Sequence, residues 1–420
     1  MPRLLLDLTP LRASRPYSRM WVGTFLSGIG ASLTTVAVGL QVYNITGSTF
    51  SVGLVGLFTV VPLIAMGLYG GSIVDAHDRR RVILTTSTGL LLVAAALTAQ
   101  AWFEVGSLEL VYALAGAQSA LFAVNSPARS SIVPRLLPIH LLPAANALST
   151  LANSTSMTDG PLMAGLLVGS LGYPIAYGVE VVLLLVAVTT LIALPALPPQ
   201  GAVRRVGLGS VLEGLRYLRG QPNLRMTFFV DLAAMVLAMP RVLFPAIGAG
   251  WIGGGPTSAG ILGAAIAFGS ILAGVLSGPL GHVRRQGRAV LISVLGWGIA
   301  ITGFGLVVAS SPGPGPSGGA HWTLWPAVGL LMLAGAADAV SAVFRMTILQ
   351  AATPDALRGR LQGVFLVVVA GGPRLGDLVL GTVAELSDEA VAAIAGGLAC
   401  ALVVLVLAAA QPRFAAYAVP

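Results

Sequence analysis

The sequence contains no lysine, and all 23 of its basic residues are arginine. A phosphate-binding loop of the ATPase kind requires a lysine, so no ATP-driven motor resides in this chain. Uphill work must draw on a gradient or a partner. One cysteine, Cys400, excludes an internal disulfide and a cysteine-cluster metal site. The four histidines (His77, His140, His282 and His321) are scattered and form no HExxH pair, so neither a metal centre nor an enzyme active site is expected. Charge is scarce as well, at 9% of residues against roughly a quarter in a soluble domain. With 56% apolar residues, such a chain is soluble only in lipid. The net charge of +8 then reflects arginine at an anionic lipid surface and calls for no nucleic-acid partner.

What the chain does have is long apolar runs. A helix crosses the hydrocarbon core in about 20 residues. Runs of that length occur at approximately 20–43, 50–74, 82–103, 108–128, 141–170, 173–195, 224–250, 257–281, 288–309, 323–346, 360–384 and 388–410. The fifth is long and polar at its start, which places its first turns at the interface. The 53 glycines and 26 prolines lie inside such runs and so argue for close helix packing, not disorder. Gly165-xxx-Gly169 and Gly274-xxx-Gly278 have the spacing that lets two backbones approach.

The arginines set the orientation. Arg3, Arg12, Arg15 and Arg19 precede the first span, and Arg79, Arg80 and Arg81 follow the second. Arg129 and Arg135 follow the fourth; Arg204, Arg205, Arg216, Arg219 and Arg225 follow the sixth. Arg284, Arg285 and Arg288 follow the eighth, Arg358 and Arg360 the tenth, and Arg413 ends the chain. The alternate loops carry none. Basic loops face the cytoplasm, so both termini lie inside and the span count is even. No cleavable leader is expected, because no small-residue cleavage site follows an apolar core. The protein is thus expected in the cytoplasmic (inner) membrane as a multi-pass monomer.

Residues 196–223 divide the chain into halves of six spans, 1–195 and 224–420. Within that linker Leu208, Val211, Leu212, Leu215 and Leu218 recur at helical spacing, opposite Glu213, Arg216 and Arg219. The pattern predicts a short helix lying on the cytoplasmic membrane surface. The outer loop 310–322 reads as a flexible connection.

The halves repeat. A gapless shift of 216 residues pairs Arg129 with Arg345, Ile132 with Ile348, Pro138 with Pro354 and Leu141 with Leu357. It also pairs Asn146 with Gln362, Gly160 with Gly376 and Gly165 with Gly381. At another shift, GGSIVDAHDRRR (70–81) matches GPLGHVRRQGR (278–288). Duplicated six-span halves are a transporter design, with substrate bound between halves that rock.

These motifs resemble the major facilitator superfamily, whose signature after the second helix is Gly-xxx-Asp-Arg/Lys-x-Gly-Arg-Arg. Gly71, Asp75, Arg79 and Arg80 match its spacing, while Ala76 and Asp78 depart from it. Asp78 is familiar from a branch that includes the enterobactin (siderophore) exporter and related drug:proton antiporters. SPARSSIVPRLLP (126–138), LPAANAL (142–148), TPDALRGRLQG (353–363) and GGPRLGDLVLG (371–381) resemble the same branch. The resemblance implies an all-α membrane fold of twelve transmembrane helices in two pseudo-symmetric halves, working by alternating access. Gly160-Pro161 with Gly165 resembles the antiporter motif of the fifth helix, where a bend closes a proton leak. A bend also follows from Pro161 itself, which removes one backbone hydrogen bond.

Asp75 with Arg79 and Arg80 is read as a charge latch at the cytoplasmic end of the second span, joined by Gly71, Arg129 and Arg345 as the gating set. Arg81 needs no more than lipid headgroups. Ionisable groups within the bilayer are functional candidates by default. Proton coupling requires a carboxylate whose burial favours its neutral form; Asp231, then Asp338, then Glu180 are the candidates. Asp338 has an alternative use, neutralising Arg345 two turns on, and Glu180 a position at outer water. Arg241, Asp159, Arg374 and Asp377 are cavity candidates, with Arg241 suited to an anionic substrate. Arg374 and Asp377, three residues apart, are spaced to pair along one helix face.

The function expected is export of a small molecule, foremost a siderophore, by proton antiport without a cofactor. The alternatives are multidrug or antibiotic efflux, import of a nutrient on the same fold, and a non-transport role as intramembrane enzyme or sensor. The histidine and cysteine usage provides no centre for the last. A small-molecule substrate and the lipid bilayer are the partners expected.

Overall fold

Hydrocarbon offers no water to a peptide group, so each apolar run must close its own hydrogen bonds as a helix. The computed structural model describes residues 7–195, 198, 216–277, 280, 283–313, 319–352 and 355–418, apart from the side chains at 68, 70–72, 74–75, 350–352 and 355–370. All twelve expected spans are helical there. The first six are α1 (Arg15–Thr46), α2 (Thr49–Ala76), α3 (Arg79–Trp102), α4 (Leu108–Leu136), α5 (Leu142–Leu171) and α6 (Tyr173–Ile192). The second six are α7 (Pro222–Leu237), α8 (Gly255–Val275), α9 (Gln286–Ala309), α10 (Leu324–Ala352), α11 (Asp355–Leu386) and α12 (Glu389–Ala410).

Among the described residues ten spans are long and apolar enough to cross a bilayer. α5 has the length, 30 residues, but is rich in hydroxyls and amides. Its helix hides part of that polarity by returning hydroxyl protons to carbonyls one turn back: Ser149 to Ala145, Thr150 to Asn146, Ser156 to Ala152 and Thr158 to Ser154. The helix runs unbroken through Pro161. A single residue, Gly172, joins it to α6 with φ 81°, a conformation that glycine adopts without steric cost.

Two boundaries differ from expectation. The eighth span ends at Val275 rather than near 281. The seventh is interrupted: α7 stops at Leu237, a 3₁₀ turn follows at Pro240–Leu243, and a π turn closes the span at Ile247–Trp251. Pro240 and Pro245 lack the N–H that would continue the ladder. Trp297 Nε1 of α9 donates to the carbonyl of Ala238, 3.2 Å away, at the end of α7. The surface helix expected over 208–218 falls mostly outside the described residues, of which 216–219 are helical.

The chain forms two compact units. Residues up to 41 with 58–207 make the first; 42–57 with 208 onward make the second. In the first, α3 packs on α4 and α6; in the second, α9 packs on α10 and α12, the same pairings one repeat later. Close crossings occur where side chains vanish. Gly269 of α8 meets Met332 of α10, and Gly335 of α10 meets Ile266 of α8. Gly298 of α9 and Gly397 of α12 each face the other's carbonyl. At Gly274 a side chain would meet nothing within 4 Å among the described residues, and Gly278 lies outside them.

Candidate functional site

The signature segment joins α2 to α3. Asp78, the departure from the motif, caps α3: its carboxylate accepts from the backbone N–H groups of Arg80 (2.8 Å) and Arg81 (3.2 Å). Arg79 Nη1 donates to the carbonyl of Ser131 at 3.0 Å, and Arg80 Nη2 to that of Ile192 at 2.6 Å. Arg135 Nη1 reaches the carbonyl of Pro198 at 2.7 Å. Ile192 ends α6, so Arg80 satisfies a carbonyl that the helix leaves unpaired. The side chains of Gly71 and Asp75 lie outside the described residues.

Within the first unit, Glu180 of α6 is buried, not at outer water. It accepts from the hydroxyl of Thr34 on α1 and, at 2.8 Å, from Gln118 Nε2 on α4, tying three helices together. A second neutral network lies above it. Tyr177 donates to Gln41 Oε1 at 2.7 Å, and the amides of Gln41 and Gln100 bond reciprocally at 3.1 and 3.0 Å. Arg129 of α4 is buried among hydroxyls: Nη1 donates to Thr24 (3.0 Å) and Ser27 (2.9 Å), Nη2 to Ser87 (3.2 Å). Asn125, one turn away, donates to Thr86 (2.7 Å) and Ser87 (3.0 Å). These glutamines, asparagine and hydroxyls are functional candidates that a search restricted to charged residues passes over. Their signal in the sequence is an amide inside an apolar run. Asp159 is exposed on α5 and makes no ion pair among the described residues.

Gly160 of α5 presses on Ser32 and Leu33 of α1. Its repeat partner Gly376 of α11 presses on Met235 and Val236 of α7. The two arginines of the repeat behave alike: Arg129 reaches α1, and Arg345 of α10 reaches α7. Each half thus uses the same positions for the same helix crossings. The partners differ.

Arg345 is ion-paired with Asp231 of α7 and, at 3.3 Å, with Asp338 of its own helix. Asp338 thus meets Arg345 two turns on, and Asp231 joins it at the same guanidinium. Asp231 has 2% of its side chain exposed and Asp338 27%, so Asp338 is the more exposed of the two carboxylates. Near the break after α7, Arg241 engages Asp377 of α11 side-on: Nε lies 3.0 Å from Oδ1 and Nη2 2.9 Å from Oδ2. The break explains the pairing, since it leaves Arg241 in the 3₁₀ turn. Asp377 thus takes Arg241 across helices with both carboxylate oxygens, and the charge of Arg241 is matched.

The outer rim of the second unit is polar. Ser48 donates to Glu385 at 2.8 Å; Thr49 (2.6 Å) and Trp251 Nε1 (2.9 Å) both donate to Glu389. Beneath it, Gly53 and Gly56 of α2 pack against the backbone of Asp377 and Arg374. A Cβ at either glycine collides with those carbonyls.

A family model described as transmembrane secretion effector matches residues 6–417. The enterobactin exporters of Shigella boydii serotype 18 and of Escherichia coli O157:H7 are each 29% identical over 394 residues, covering 94% of this chain and 91% of theirs. Three solved structures are alike in fold. The nucleoside transporter NupG aligns with a TM-score of 0.69 at 15% identity, over 96% of this chain and 99% of that one. The POT family transporter PepTSo aligns at 0.75 and 13%, over 96% and 98%. A bacterial homologue of the iron transporter ferroportin, in its inward-facing state, aligns at 0.65 and 14%, over 96% and 99%.

Proposed function

The chain belongs to the transmembrane secretion effector family of major facilitator transporters, and from that premise we propose that it exports a siderophore of the enterobactin kind across the cytoplasmic membrane by proton antiport. It is a multi-pass secondary transporter and not an enzyme. The family description and the enterobactin exporters at 29% identity support export and a siderophore as cargo. The halves 1–195 and 224–420 alternate in access, and the working unit is the monomer. Gly71, Asp75, Arg79 and Arg80 latch the cytoplasmic side, and Gly160-Pro161 with Gly165 holds α5 against α1.

The observation that carries the antiport reading is the cluster of Asp231, Arg345 and Asp338. One guanidinium neutralises one carboxylate. The second leaves a net negative charge at membrane depth, which costs roughly 2–4 kcal/mol or more. A proton taken up by the cluster removes that cost, and its release restores it. Asp231 is the buried anchor; Asp338, more exposed, exchanges the proton with water. Binding and loss of that proton switches how firmly Arg345 holds α7 to α10.

The test uses proteoliposomes with an imposed pH gradient. Asp338→Asn should lower gradient-driven uphill transport by about tenfold or more while downhill exchange persists, because neutralising the exchanging group uncouples without unfolding. Full uphill transport by that variant removes the coupling assignment. The cargo is tested in a deletion strain under iron limitation. Normal siderophore secretion there removes the siderophore, and loss of resistance to antibiotics in its place identifies a drug exporter.

A further inference from the structure

Two arginines are buried among the described residues, Arg129 and Arg345, and the internal repeat makes them counterparts. Arg345 lies against two carboxylates. Arg129 has no carboxylate partner among the described residues, and its three bonds end on hydroxyls. Two of those hydroxyls direct their own protons to backbone carbonyls, Thr24 to Met20 at 2.8 Å and Ser27 to Gly23 at 2.6 Å. They meet the guanidinium as neutral acceptors and cancel none of its charge. A buried cation without a counter-charge is unfavourable, and buried charges are ordinarily paired.

Buried N–H donors that lack an acceptor include the Nε of Arg79, Arg80 and Arg345; two more lie beside this hydroxyl cluster, Arg129 Nε and Trp21 Nε1 on α1, one turn before Thr24. Trp21 packs on the buried cluster that contains Ala128 and Ile132, neighbours of Arg129 on α4. Both groups are donors, so an oxygen acceptor would satisfy both. Nε and Nη2 form the edge by which a guanidinium takes a carboxylate side-on, as Arg241 takes Asp377. The repeat also places Phe122 opposite Asp338. Where α10 carries its second carboxylate, α4 carries an exposed aromatic ring, seven residues from Arg129 and on the same face.

We propose that Arg129 heads an oxyanion site in the first unit that takes the carboxylate of an aromatic organic acid, with Trp21 Nε1 as a second donor and Phe122 against the ring. The proposal deepens the export reading, on which it rests for the identity of its occupant as a transported solute. The solute supplies the anion that the sequence supplies in the other half.

The test is equilibrium binding by the full chain in nanodiscs of zwitterionic phosphatidylcholine, with benzoate as probe and benzamide as its uncharged isostere. Benzoate should raise the unfolding temperature and benzamide should not; an equal response to both overturns the proposal. Arg129→Gln should abolish the benzoate response, and a retained response overturns it. Should Arg129→Gln not fold, Trp21→Phe decides: it removes one donor and keeps a ring, and should weaken benzoate binding about tenfold. Unchanged affinity in that variant overturns the site. In nanodiscs containing phosphatidylglycerol the wild-type response should persist; its disappearance assigns the site to a lipid headgroup and overturns the solute. No proton gradient is present, so benzoate binding by a protein that fails to antiport separates this site from the export reading.

Discussion

Asp78 shows how one residue can depart from a motif and still serve the same turn. A glycine at that position would leave the first N–H groups of α3 unpaired; the aspartate accepts two of them. Asp78→Ala should therefore destabilise the folded protein by about 1 kcal/mol, measured as a shift in the denaturation midpoint in mixed detergent; no shift would mean the cap is idle. Glu180 makes a contrasting case. It is buried and receives hydrogen bonds from Thr34 and Gln118. Glu180→Gln keeps an oxygen for Gln118 and presents an N–H to Thr34, whose hydroxyl must turn from donor to acceptor, at a cost of about 1 kcal/mol. With coupling assigned, as proposed, to Asp231, Arg345 and Asp338, stability should fall while proton-driven transport per folded molecule is kept. Uncoupled transport in that variant would move the coupling site to the first unit. The sequence could name Glu180, Asp231 and Asp338 as the ionisable groups inside spans. It orders them Asp231, Asp338, Glu180, but it cannot show which carboxylates meet Arg345 or which of those is the more exposed.

Helices are where composition speaks most directly, and where glycine spacing misleads. The run lengths alone locate all twelve helices, because a peptide in lipid has no other way to satisfy its backbone. The small-residue spacing at 274–278 reads like a contact, but among the described residues Gly274 faces open space. The working contact of α8 is Gly269, five residues earlier. Gly269→Leu should prevent α8 and α10 from crossing and abolish recovery of monodisperse protein, whereas Gly274→Leu should leave it unchanged. Size-exclusion profiles of the two variants decide this, and equal profiles would contradict the assignment of the crossing. The interruption after α7 was likewise only half legible. Pro240 and Pro245 announce a break, but the 3₁₀ and π turns that carry Arg241 toward Asp377 depend on what α11 presents there.

At the scale of the molecule, arginine placement predicts which ends of the helices face the cytoplasm. With Cys400 replaced by serine, a cysteine at Ala320 should react with a membrane-impermeant maleimide from outside, and one at His77 only after permeabilisation. The reverse labelling would invert the topology. The internal repeat acquires physical content at the same scale. Gly160 and Gly376 make matching crossings with α1 and α7, and Arg129 and Arg345 reach the same two helices.

Membrane residence and the helical runs were legible from run length, because lipid permits so few backbone solutions; the duplication was legible from the register of the repeat, and arginine position adds an expected orientation. The partners of the buried charges were not legible. Arg129 among hydroxyls and Arg345 among carboxylates occupy one register of the repeat and read alike in the sequence. Only packing decides which side chains from distant helices converge on each, and that convergence makes one a paired cluster and surrounds the other, among the described residues, with hydroxyls.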